Sequence, residues 1–193
     1  MKSKISKILI TVGLLICVGS LSIKGYSKYL ENKSTKSFEE KIDKNAKESK
    51  EDDFTNVKAG DEIAIINIPS IKLNTVVVES IEKQYLNHYV CHFENTAMPG
   101  EYGNFSLAGH SSYRYNEVFN ELHKINLDDE IIIKTLKIDF TYVVKDIFEV
   151  NPEDTFVLDQ DNEIKELTIV TCTNKGKDRL IVKAEIVEEK NNK

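Results

Sequence analysis

The chain has 193 residues, enough for one domain plus an N-terminal extension, with a net charge of −6 and no Trp. Mild acidity without a long basic stripe argues against nucleic acid as a partner. Three cysteines without a C-x-x-C pair make no disulfide framework and argue against dithiol redox work.

In chain order, Lys2, Lys4 and Lys7 precede a nearly uncharged run, Ile8–Ile23, which Lys24 and Lys28 close. The run is short for a spanning helix, which needs about 20 apolar residues. Snorkelling lysines and interfacial Tyr26 and Tyr29 extend it. It reads as an uncleaved anchor with a cytoplasmic N-terminus. A signal peptide, or a lipoprotein signal ending at Cys17, are the rival readings. Glu31–Val57 is rich in Lys, Glu, Asp, Ser and Asn. It predicts a solvated stalk, partly helical at best.

From Gly60 the texture becomes apolar and β-branched. Strands are expected at Ile63–Ile68, which Pro69 closes, and in short pieces at Ile71–Leu73 and Val76–Glu79. Ser80 offers a cap for a short helix through Leu86. A loop, Glu94–Gly103, leads to a strand at Asn104–Leu107. Val118, Phe119, Leu122 and Ile125 fit one helical face after an Asn116 cap. Glu130–Lys134 and Ile138–Val150 predict a hairpin around Leu136-Lys137, although no Gly marks its turn. Glu166–Cys172 and Arg179–Glu189 predict the last pair. Seven or eight short strands with two short helices, and no βαβ rhythm, give an all-β barrel or sandwich.

The chemistry-bearing residues sit at strand ends. Cys172 ends Thr168-Ile169-Val170-Thr171 and Arg179 opens Leu180-Ile181-Val182. An antiparallel pair around Lys175-Gly176 sets Cys172 opposite Arg179, on one face. A thiol beside a cation has its thiolate favoured. His110 follows Leu107-Ala108-Gly109 and supplies a candidate base or acid. A thiol nucleophile, an imidazole and a guanidinium suit acyl transfer through a thioester. Blander readings remain: Cys172 as core or in a disulfide with Cys91, His110 as a loop residue, and Arg179 as a surface charge. Cys91-His92 is a competing pair, and His88, Cys91 and His92 are a metal set without a convincing fourth ligand.

These residues resemble the sortase family. Thr168–Cys172 matches its TLxTC signature with Ile169 in place of Leu. Leu107–His110 matches its histidine motif, and Cys172 through Arg179-Leu180-Ile181-Val182 its Cys-to-Arg hairpin. Pro99-Gly100, Gly103-Asn104 and Ile66–Ile71 are also similar, so the resemblance covers about 60–189. The short Thr173–Asp178 loop is more like class D than class B. The resemblance implies an eight-stranded sortase β-barrel over 60–193; the residues before it read as a single-pass anchor over 1–30 and a stalk over 31–59, and the N-terminal lysines place the catalytic domain outside the cell. It implies a cysteine transpeptidase of the thiol-protease type that cuts LPxTG-like sorting signals and passes the acyl group to an amine of a peptidoglycan precursor or pilin lysine. Cys172 would be the nucleophile, His110 the general acid/base and Arg179 the oxyanion and substrate holder. Ala108 and Thr171 would line the groove, with no cofactor or metal. A cysteine hydrolase, or a non-catalytic surface β-domain, are the alternatives.

Overall fold

The computed structural model describes residues 2–45, 54–111 and 118–192. Runs of apolar and β-branched residues set eight strands: β1 (Glu62–Ile68), β2 (Leu73–Glu79), β3 (Val90–His92), β4 (Gly103–Ala108), β5 (Glu130–Lys134), β6 (Ile138–Val150), β7 (Lys165–Thr173) and β8 (Asp178–Asn191). They close a barrel in the order β1-β2-β3-β4-β7-β8-β6-β5. Closure leaves no free sheet edge in the circuit. Alternation turns Phe105 and Leu107 of β4, Leu167 and Ile169 of β7, and Leu180, Val182 and Ala184 of β8 into the core. The opposite faces of these three strands are left for the site.

Two pairings are parallel, β2 with β3 and β4 with β7. The Leu136-Lys137 hairpin forms without Gly because Thr135 closes it. Its Oγ1 donates to the Ile138 carbonyl at 2.7 Å and accepts from the Ile138 N–H at 3.0 Å. The helix expected over Val118–Ile125 is only a turn and a 3₁₀ segment, Leu122–Lys124. Its four apolar residues are nonetheless buried. The Asn116 cap lies outside the described residues. Ser80 does not cap a helix. It takes a positive φ of 84° and its Oγ accepts from the Glu82 N–H, and α2 (Lys83–Leu86) follows Glu82.

The N-terminal helix, α1 (Lys2–Asn45), corrects the stalk expectation over its helical part. Phe38 is 1% exposed and packs with Ile65, Val76 and Val78 of β1 and β2. Thr35 Oγ1 accepts the Val76 N–H at 3.2 Å, satisfying a strand group that β3 does not reach. Lys41 pairs with Glu62 at 2.8 Å, and Ser27 Oγ lies 2.6 Å from His88 Nδ1. The polar composition concealed this because only a few side chains do the docking. Nearer the N-terminus, Ile8, Leu9, Ile10, Val12, Leu14, Leu15 and Ile16 are 48–67% exposed. Among the described residues, no helix is long and apolar enough to cross a membrane.

Candidate active site

The hairpin of β7 and β8 pairs Cys172 with Arg179 in register, so both side chains leave one face. On the other side of β7, the parallel ladder with β4 runs to Ala108 opposite Val170. Two residues past the end of β4, His110 comes level with Cys172 of β7. Three bonds hold that continuation. The Gly109 N–H donates to the Val170 carbonyl at 3.2 Å, Thr171 Oγ1 donates to the Gly109 carbonyl at 2.7 Å, and Ser111 Oγ donates to the Cys172 carbonyl. His110, Cys172 and Arg179 thus form one row across three neighbouring strands.

Gly109 makes the approach feasible from the other side. A Cβ there would lie 2.5 Å from the buried Phe119 ring. The Phe119 N–H also donates to the His110 carbonyl at 3.0 Å, so the histidine backbone is braced on both flanks. Burial lowers the His110 pKa from its ordinary value, because desolvation disfavours imidazolium. Arg179 is fixed through Nη1, which donates to the carbonyls of Gly176 and Asp178, each at 3.2 Å. Its other guanidinium donors make no hydrogen bond among the described residues. Asn174, Lys175 and Gly176 all have positive φ, which makes the turn tight enough to present those carbonyls.

A groove of about 230 Å³ runs up to Arg179. Its floor is Val170 and Ile181, and Phe93, Val150, Pro152, Asp154, Thr155, Val157 and Leu158 surround it. Ala108 is on the Cys172 face of β4, opposite Val170. Thr171 lies on the opposite face of β7 from Val170. Strand alternation turns it inward, where it is 3% exposed and bonded to Gly109. The sequence reading missed Ser111 and the Val157–Leu158 wall. The apolar run Phe156-Val157-Leu158 inside a polar loop was the available signal.

The competing sites separate. Cys91 and Cys172 are both free thiols, so no disulfide joins them. Burial, with the Glu79 charge as a second cause, pushes the Cys91 thiol up to about 12, which removes it as a nucleophile. His92 is 1% exposed, its Nδ1 2.6 Å from Glu79 and its Nε2 2.8 Å from Thr96 Oγ1. It serves the wall of the β3–β4 loop. Among the described residues, no group of three His, Cys, Asp or Glu could hold a metal ion.

The Sortase domain family matches residues 66–187. The chain belongs to the sortase family. Sortases are cysteine transpeptidases, and this one is class D-like: a Clostridium perfringens sortase D5 transpeptidase is 44% identical, with a TM-score of 0.73 over 83% of this chain and 99% of that one. Sortase E1 of Streptomyces coelicolor, solved with a tripeptide in its active site, is 30% identical with a TM-score of 0.62, covering 68% of this chain and 91% of that one. Sortase A of Bacillus anthracis is 31% identical over 113 residues, 58% of this chain and 52% of that protein. This chain therefore aligns with about half the length of that curated relative. The sortase match begins inside β1, and α1 lies wholly before it.

Proposed function

We propose that the protein is a membrane-anchored, cell-surface transpeptidase that cleaves an LPxTG-like sorting signal and transfers the acyl group to an amine of a peptidoglycan precursor or a pilin lysine. The observation that carries this reading is the row His110, Cys172, Arg179 set in register by β4, β7 and β8, beside an apolar groove that Arg179 lines. The tripeptide in the S. coelicolor relative supports a peptide as the occupant.

In this mechanism the Cys172 thiolate attacks the scissile carbonyl carbon. The carbonyl electron pair moves to oxygen, where the Arg179 guanidinium stabilises the oxyanion. Collapse breaks the C–N bond, and the His110 imidazolium gives its proton to the departing amine. The thioester remains on Cys172. The acceptor amine then attacks it, loses a proton to His110 and expels the thiolate, restoring both groups. The layout is an anchor over 1–30, a connecting segment over 31–59 and the catalytic domain over 60–193. The exposed apolar stretch of α1, flanked by lysines and by Tyr26 and Tyr29, supports the anchor.

Mass spectrometry of the full chain in detergent, incubated with a library of LPxTG-like peptides, tests this. An acyl adduct on Cys172 that resolves into an amine-linked product is the expected result. Release with water alone, even at high acceptor concentration, makes the protein a hydrolase. No adduct on Cys172 overturns the thioester.

A further inference from the structure

The groove has two walls that belong to different loops, and one side chain ties them. Val157 and Leu158 stand on the β6–β7 connection, whereas Phe93 opens the β3–β4 connection. Neither loop is a strand; the ladder reaches Phe93, whose N–H donates to the Ser106 carbonyl at 2.9 Å, but does not fix its distance from the β6–β7 wall. Gln160 does. Its Oε1 accepts the Asn104 N–H at 2.9 Å and the Ala97 N–H at 3.2 Å. Its Nε2 donates to the Asn104 carbonyl at 3.1 Å and to the Leu158 carbonyl at 2.8 Å. A carboxamide has two donors and two acceptor lone pairs, so this amide is saturated. All four partners are backbone groups, on β4 and on both loops.

Gly103 is shaped around this amide, and two further bonds brace the same loops. A Cβ on Gly103, where φ is +125°, would lie 2.8 Å from Gln160 Oε1 and 2.9 Å from Ala97 Cβ. Only glycine leaves the passage open while holding that φ. Asn104 adds a parallel tie, its Nδ2 donating to the Val157 carbonyl at 2.9 Å. On the opposite side His92 meets the Ala97 carbonyl at 3.1 Å, so Ala97 is held at both ends of its peptide units.

We propose that Gln160 is a positioning residue that fixes the spacing of the groove walls and thereby the affinity for the apolar part of the acyl donor. It touches neither the reacting atoms nor the row of three residues. This rests on the transpeptidase reading above. The side chain is in an exposed loop, so truncation leaves the barrel core intact.

The test compares wild type, Gln160→Ala and Gln160→Met as full chains in detergent, using the LPxTG library peptide that wild type cleaves fastest. Both variants should raise KM about tenfold, the scale of one or two net hydrogen bonds, with kcat nearly unchanged. Met preserves bulk, so its behaving like Ala assigns the effect to the amide. Iodoacetamide labelling of Cys172, read at that peptide by mass spectrometry, should proceed at the wild-type rate. The KM penalty should shrink for a donor whose apolar first residue is replaced by Ala, because the groove is then unfilled. An unchanged KM overturns the inference, as does a joint fall of kcat and Cys172 labelling. A wild type that cleaves no library peptide overturns the transpeptidase reading itself, a result distinct from an insensitive Gln160.

Discussion

Burial of His110 has opposite consequences for stability and for catalysis. Its folded pKa lies below the ordinary 6.5, so the unfolded chain holds this proton more tightly. The stability tied to this group is complete above 6.5 and is lost as pH falls through that value towards the lower folded one. For catalysis, the same shift makes imidazolium scarcer near neutrality. The limb of the kcat/KM profile that reports His110 should therefore lie below 6.5. His110→Ala should remove that limb and lower the rate sharply. A profile that survives the change would move proton transfer to another group, with His88 first since His92 is buried against Glu79. At Arg179, lysine should be damaging, because an ammonium cannot present a two-donor fork to an oxyanion. Loss of one such donor costs on the order of a hundredfold in kcat. Near wild-type turnover in Arg179→Lys would reduce the arginine to a hairpin brace.

The β7–β8 hairpin was legible from residue numbers because an antiparallel pair keeps a constant sum, and Cys172 with Arg179 shares it with Glu166 and Glu185. The parallel neighbour β4 was not legible. Nothing in the local pattern of Asn104–Leu107 says which strand it joins, and parallel partners are joined by long connections. So the sequence supplied the histidine but not its place beside the cysteine. The short β3 was missed for a related reason. It has only three residues, and its His92 looked like chemistry when it is architecture. His92→Ala would strand Glu79, which is 7% exposed, without its nearest partner. Leaving a buried polar group without its hydrogen-bond partner costs about 1–3 kcal/mol, so the variant should melt below wild type. Cys172→Ala should abolish turnover yet melt close to wild type, since its side chain is small and half-buried. Equal melting of the two variants would show that the His92–Glu79 contact contributes little. Gly109→Ala tests the approach of β4 to Phe119. A Cβ at 2.5 Å from the ring forces Phe119 to shift, and overpacking of this kind costs about 1–3 kcal/mol.

At the scale of the whole molecule, α1 joins what the composition separated. Polar residues after Glu31 suggested a solvated stalk, partly helical at best, but the helix docks on β1 and β2 through Thr35, Phe38 and Lys41, and Ser27 meets His88 beside β3. Ser27 lies four residues past Ile23, a helical rise of about 6 Å. On the proposed anchor, the barrel is then mounted at the membrane surface in one orientation, without a stalk's freedom. Alanine insertions after Gly25 separate a mount from a tether. Five residues add about 7.5 Å and turn the barrel by about 140°, whereas seven add about 10.5 Å and nearly restore its phase. The heights are similar and the orientations opposed. In vesicles carrying a lipid-tethered LPxTG-like peptide, the five-residue variant should cleave more slowly than the seven-residue one. Both should cleave the soluble peptide at the wild-type rate, because the groove is unaltered. Equal rates on the tethered peptide would mean that the helix does not orient the barrel. Failure of the wild-type chain to float with the vesicles would sink the anchor.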